Sequence, residues 1–300
     1  MLIMSSMPRV NPHLPEVPGQ SVGTFRLVEK INTSVHAVSR AVEDDGGTED
    51  GRNRRIIKAV EKQRVLIPMQ LEGIFREFVA LSTVLDHPNI VKYLGVMHTR
   101  KYFYLHLADA GPSNLADYLE QYPGSRFETE DTMVCLRQIA AGLHHCHNKY
   151  IAHRSMCLEH VVVRRCEMGT LHCTIIDFRS AIIMEANTTS RTQCGSYPFT
   201  PPEMLFDQPY MVKHLDQWSL GVIALEAAGG VSTTERLVEF TTDHLVMAQR
   251  VCDYFNTPGC HAKALSKLGG TPDPIIVEIL EQLLQVDPAM RVERVPQLLD

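Results

Sequence analysis

A two-lobed α+β architecture follows from three observations along the chain. Strand-like runs crowd its beginning, helical apolar periods dominate beyond residue 200, and no internal repeat links the two parts. Phe25-Arg26-Leu27-Val28 and Val35-His36-Ala37-Val38 predict strands. Between Glu43 and Gly51 lies a polar, glycine-bearing loop, followed by the opposite charge of Arg52 to Arg55 and by the strand-like Ile56-Ile57-Lys58-Ala59-Val60. Apolar residues at 71, 74, 75, 78, 81 and 85 have the period of a helix. Tyr102 to Leu107 is again strand-like, and Thr132 to His147 places Leu136, Ile139, Ala140 and Leu143 on one helical face. Short strands are expected near 161–163 and 174–176, then helices over Asp216 to Ala228, Thr242 to Phe255 and Pro274 to Leu284. Residues 1–22 carry Pro8, Pro12, Pro15 and Pro18 with few large apolar groups, which predicts an extended or disordered tail.

Composition narrows the function classes. The 300 residues are 44% hydrophobic and 21% charged, ordinary values for a globular chain able to bury a large core. A net charge of -6 gives no reason to expect a nucleic-acid partner. No run approaches the roughly 20 apolar residues of a membrane span, so none is expected. The eight cysteines have no C-x-x-C pair and fit reduced thiols of the cytoplasm, which leaves the nucleus open as well. His144-His145-Cys146-His147 suggests a metal, but adjacent helical positions diverge by about 100° and cannot all face one ion.

The stretch His153-Arg154-Ser155-Met156-Cys157-Leu158-Glu159-His160 has the frame H-R-D-x-x-x-x-N, with a hydroxyl where that motif carries a carboxylate and an imidazole where it carries an amide. Other landmarks stand around it in a fixed order. They are Leu85-Asp86-His87-Pro88-Asn89-Ile90-Val91, Gln138 to Leu143 leading to Cys146-His147, and Cys194-Gly195-Ser196-Tyr197. Pro201-Pro202-Glu203, Asp216-Gln217-Trp218-Ser219-Leu220-Gly221 and Asp287-Pro288-Ala289-Met290-Arg291 follow. On these residues the chain, from about residue 23 onward, resembles the protein-kinase superfamily, with Pro201 in place of a usual alanine.

The resemblance implies a kinase-like domain over 23–300. Its small β-rich N-lobe (about 23–107) would carry the helix called αC, and its larger helical C-lobe would span about 108–300. It casts Glu203 and Arg291 as a buried ion pair, and Asp216 and His153 as ties between the loop over residues 153–160, the family's catalytic loop, and the helix that begins near Asp216. Phe178 and Leu81 become parts of an apolar column. Thr188, Thr189, Ser190 and Thr192 come within reach of Arg154 if their segment folds back, where a phosphate could dock; an exposed polar loop is the plainer alternative.

For the nucleotide site the resemblance assigns Lys58 to the α/β-phosphates, Glu77 to holding Lys58, and Asp177 to magnesium. Alternatively, Lys58 and Glu77 persist only as an ion pair that fixes the helix. Three departures oppose ATP. The segment 31–38, where a glycine-rich loop belongs, has no glycine and is one residue short. Ile56 replaces the alanine that lies over adenine, and Arg179 replaces the glycine after Asp177-Phe178. That guanidinium would stand in for a missing magnesium charge, or pair with an acidic group of αC. The chemistry is depleted further, since Ser155, Cys157 and His160 replace the aspartate, lysine and asparagine of the family pattern. A serine hydroxyl is no base near neutral pH, loss of a general base costs about 10²–10⁴-fold, and imidazole is a poor magnesium ligand.

Pseudokinases with serine and histidine at these two positions act as allosteric scaffolds. The resemblance therefore implies a pseudokinase, with weak ATP and Mg binding if any, acting on a protein partner such as an active kinase. An unorthodox serine/threonine kinase is the alternative, motivated by Lys58, Glu77 and Asp177. Cys252 to Gly259 is similar to the helical insert of cyclin-dependent kinases, and Gly73 to Glu77 loosely resembles their cyclin-binding helix; a cyclin is not the expected partner.

Overall fold

The structure is a computed structural model that describes residues 21–22, 24–32, 37–43, 54–62, 68–83, 85–166, 169–185, 188–267 and 273–291. The chain divides into two compact units, one of Met1–Asp86 with Val91–Ala110 and one of His87–Ile90 with Gly111–Asp300.

The first unit is an antiparallel sheet with one helix. Its strands are β1 (Ser21–Val22), β2 (Phe25–Asn32), β3 (Ala37–Glu43), β4 (Arg54–Glu61), β5 (Tyr93–His98) and β6 (Tyr102–Ala108), in the order β1-β2-β3-β4-β6-β5, with α1 (Pro68–Thr83) between β4 and β5 in sequence. Side chains alternate across a strand, and β4 uses both faces. Ile57 and Ala59 join Val22, Phe25, Ala41 and Tyr104 in one apolar cluster, while Lys58 and Val60 line a cavity with Ile74, Glu77 and Phe78 of α1. Helix α1 begins at Pro68, which needs no N–H in a first turn, and buries Ile74, Phe78 and Leu81 at the expected spacing.

Three boundaries differ from the sequence expectation. Ser21 and Val22, assigned to the tail, pair with Arg26 and Phe25, because Val22 has a cluster to enter; residues 1–20 lie outside the described residues. Strand β3 begins at Ala37 and runs to Glu43; the rest of the expected polar loop, residues 44–51, and the next two residues lie outside the described residues. The segment His87–Ile90, counted with the N-lobe, belongs to the second unit. The cause at 87–90 is hydrogen bonding. Asn89 Nδ2 donates to Gln138 Oε1 at 2.9 Å and to the Cys173 carbonyl at 2.8 Å, and Ile175 N–H donates to the Asn89 carbonyl at 2.8 Å.

The second unit is mainly helical. Strand β7 (Ser113–Asn114) leads into α2 (Leu115–Leu119) and α3 (Thr129–Asn148), then β8 (Ile151–Ala152), β9 (Val161–Arg165) and β10 (Leu171–Ile175). Next come β11 (Ile182–Ile183), β12 (Thr189–Ser190), α4 (Pro202–Leu205) and β13 (Tyr210–Met211). Helices α5 (Val212–Gly229), α6 (Thr233–Val238), α7 (His244–Phe255), α8 (Cys260–Lys267) and α9 (Pro274–Leu283) complete the described chain. Nearly all of α5 is buried, apolar and polar residues alike, as expected of a helix packed on every side. It packs against α3 and α9, and at Gly221 the approach is so close that a Cβ would lie 2.8 Å from Leu284 Cδ2 and 2.9 Å from Leu283 Cβ. Across the unit, Arg291 holds Glu203 through a fork of 2.6 and 2.9 Å bonds and lies 4.9 Å over the Trp218 ring, as the motif match implies. Among the described residues no helix is long and apolar enough to cross a membrane.

Two predictions follow from packing and charge. Gly221→Ala should destabilise the chain by about 1–3 kcal/mol despite alanine's better helix propensity, because the clash is with packed side chains; denaturant unfolding with unchanged or higher stability would refute this. Burial, aided by Arg55, lowers the His106 pKa from 6.5 to about 4, and burial alone does the same to His261. The unfolded chain takes up these protons near pH 6.5 but the folded one only near 4, so stability should fall as pH drops through that window. Each histidine contributes up to about 3 kcal/mol of that loss. His106→Leu with His261→Leu should flatten the pH–stability curve between 7 and 4.

Candidate functional site

In the first unit, the buried Lys58 ammonium contacts both oxygens of the Glu77 carboxylate, at 2.9 and 2.7 Å. The expected partnership between β4 and α1 is therefore made. The segment 33–36, the middle of the expected glycine-rich loop, lies outside the described residues.

In the second unit the loop after β8 is organised by Asp216 on α5, which is fully buried. Its Oδ2 accepts from His153 N–H at 2.9 Å and from His147 Nε2–H at 2.8 Å; its Oδ1 accepts from Arg154 N–H at 2.7 Å. Burial alone would raise the Asp216 pKa, but the hydrogen bond and charge of His147, with help from His153, hold it below the usual carboxylate value. The His153 ring donates from Nε2 to the Ile176 carbonyl at 3.0 Å, which leaves Nδ1 to accept Ser155 N–H at 3.3 Å. Burial keeps His153 neutral by lowering its pKa. Its ring packs edge-on against Phe178, 4.7 Å between centroids. Phe178 and Leu81 are both buried.

The positions that depart from the motif lie along this loop. Ser155 stands where the motif has its carboxylate. Cys157 is buried, and burial followed by the nearby Glu159 pushes its thiol pKa well up, so it is not a nucleophilic thiolate. His160 donates from Nδ1 to the Ser155 carbonyl at 2.6 Å, and its Nε2 faces Asp177 Oδ2 at 3.5 Å. Asp177 has left-handed backbone, φ 64°, and caps the turn Phe178–Ser180 by accepting from Arg179 N–H. That geometry swings the Arg179 side chain onto the same carboxylate. Arg179 Nε lies 2.7 Å from Oδ1 and 3.0 Å from Oδ2, and one terminal nitrogen binds Oδ2 as well. The carboxylate is thus clamped by a guanidinium fork on one side and approached by an imidazole on the other.

The segment after Phe178 is fixed at several points. Strand β11 pairs with β8 and β12 with β13. The buried Arg154, at φ 62°, donates from Nε to the Ser180 carbonyl at 2.9 Å. Its NH1 reaches Ser190 Oγ and the Tyr210 hydroxyl, each at 3.4 Å. Tyr210 donates to the Thr192 carbonyl at 2.6 Å, and burial pushes its phenol up to about 12, so it acts as a neutral hydroxyl. Of the four hydroxyl residues considered, Ser190 is the one brought to Arg154. The sequence did not single out Tyr210, 56 positions from Arg154, nor give His147 its bond to Asp216. Nothing local to Tyr210 marks it. His147 was visible as part of a histidine cluster and as the end of one landmark, neither of which points to Asp216.

This is the arrangement of a phosphotransfer fold whose frame is kept. A protein kinase domain model matches residues 46–299, and the chain belongs to the protein kinase family. The matched span begins after the segment 31–38 where the glycine-rich loop is expected. Over 167 residues, 56% of this chain, it is 32% identical to the serine/threonine-protein kinase SIK1 of Rattus norvegicus. It is 30% identical to SIK2 of Gallus gallus and 31% identical to SIK1 of Mus musculus, each over 167 residues. The chain spans about a fifth of the length of these curated relatives, since the matches cover 20% of each. A protein kinase domain in general binds ATP with magnesium. The residues here do not fit magnesium well, because that ion needs oxygen ligands and the Asp177 oxygens already carry Arg179.

Removing the Tyr210 hydroxyl should loosen the segment between β11 and β13. Tyr210→Phe is expected to raise protease cleavage within residues 188–200 several-fold with little loss of global stability, about 1 kcal/mol. Cleavage unchanged from the parent would show that the strand pairs alone hold it.

Proposed function

We propose that the chain is a pseudokinase, a kinase fold without effective phosphotransfer that acts as a protein-binding scaffold or allosteric regulator, with an active kinase as the kind of partner that fits. One observation carries the reading: the Asp177 carboxylate is clamped by Arg179 in a loop whose base position is Ser155. Phosphoryl transfer works mainly by positioning and neutralising charge, and the loop keeps neither a carboxylate base nor an open metal-binding carboxylate. What the chain retains instead is architecture: the Asp216 hub, the Glu203–Arg291 pair and the Lys58–Glu77 pair. The free thiols of all eight cysteines support a reducing compartment such as the cytoplasm.

A second reading, an unorthodox serine/threonine kinase using ATP, draws on the intact Lys58–Glu77 pair and the serine/threonine kinases among the relatives. Phosphotransfer with labelled ATP separates the two. The scaffold reading expects no transfer that Lys58→Ala abolishes, and expects Ser155→Asp alone to restore none. It also expects partner binding to survive Lys58→Ala but to fail in Arg291→Ala, which should lose about 3 kcal/mol by stranding the partly buried Glu203. Transfer abolished by Lys58→Ala would establish the kinase reading instead.

A further inference from the structure

We infer that Arg179 is an internal substitute for the divalent cation: its guanidinium occupies the Asp177 carboxylate and excludes a metal ion from it. The inference concerns the site used for the proposed function but does not require that function, because it is a statement about cation binding and not about transfer.

The geometry rests on three residues of one unit. The backbone of Asp177 is left-handed, which turns its side chain back over the turn Phe178–Ser180 and within reach of a residue only two positions on. A glycine there would leave both oxygens accessible; Arg179 covers them with a planar fork that matches a carboxylate. The Asp177 side chain is largely buried, 13% exposed, so the pair is more than a loose surface contact, although the Arg179 side chain is 39% exposed. His160, the third residue, faces Oδ2 at 3.5 Å with Nε2, where an oxygen ligand is lost, and its Nδ1 is committed to the Ser155 carbonyl. A hard divalent cation would therefore meet a carboxylate already neutralised, a positive charge beside it and a nitrogen in place of an oxygen. Each of these disfavours it, and the first two stem from Arg179.

The chemistry makes a specific reversal expected. Manganese(II) is the suitable probe, since it takes carboxylate and imidazole ligands together and is read directly by paramagnetic resonance. With the full chain and Mn²⁺ alone, the parent should show no site that depends on Asp177 at millimolar metal. Arg179→Gly and Arg179→Gln should each gain one, at least about tenfold tighter than any parental binding, and Asp177→Asn added to either should abolish the gain. Two variants are used because glycine also loosens the turn, whereas glutamine keeps a long side chain and removes only the charge. An Asp177-dependent Mn²⁺ site in the parent as tight as in the variants would overturn the inference. So would failure of both variants, each folded by thermal unfolding, to gain one. Either result leaves the phosphotransfer test of the scaffold reading untouched.

Discussion

A buried carboxylate with several donors holds the second unit's loop in place. Asp216 sits on a helix enclosed on nearly every side, so its charge is tolerable only because His147 and two backbone amides converge on it. Those amides belong to His153 and Arg154, and Arg154 has left-handed backbone that would cost about 1–3 kcal/mol if nothing fixed it. Once the amides are fixed, the His153 ring is set to bond Ile176 and to pack on Phe178. The Arg154 side chain is likewise aimed at Ser180, Ser190 and Tyr210. The loop and the segment that follows it are thus ordered outward from one side chain of α5.

The two aspartates of this region show how similar groups acquire different roles. Asp216 is surrounded by donors that belong to the frame, and its ionised form is stabilised by them. Asp177 is met by a cation from its own turn. In both cases the charge is satisfied within the chain, and a carboxylate satisfied in this way has less to offer a ligand. Ser155 adds no charge, and the buried Cys157 thiol adds none near neutral pH. The loop therefore has the shape of a catalytic site with its electrostatics closed on itself.

Motif residues made the frame legible in advance. Glu203 with Arg291, Lys58 with Glu77, and Asp216 with His153 are long-range pairs that no local pattern reveals, and each was found through the order of landmarks. Long helices and central strands were legible from their periods. Weaker signals misplaced edges: Ser21–Val22 is only a two-residue strand, and the tie of Asn89 to Gln138 and Cys173 has no periodicity to betray it. The Arg179 clamp was one of two uses that the sequence left open to that guanidinium, and what brings it to the carboxylate is the left-handed turn at Asp177, a backbone state that residue type permits but does not dictate.

The balance at Asp177 can be put in magnitudes. Two unit charges about 4 Å apart in a partly exposed protein site interact by about 4 kcal/mol. A dication placed beside an unmoved guanidinium would meet roughly twice that in repulsion, so it could bind only by displacing Arg179. Displacement is open to it, because the arginine is partly exposed and its charge can return to water. It must then match a fork of hydrogen bonds using one carboxylate and an imidazole, where magnesium asks for six oxygens. Two replacements act in the same direction here, Arg179 by occupying the oxygens and His160 by withholding another. Reverting the first relieves both repulsion and occupancy, whereas reverting the second alone would leave the carboxylate clamped. On the inference drawn above, the guanidinium, rather than the lost amide, is therefore the controlling difference between this site and one that would hold a metal.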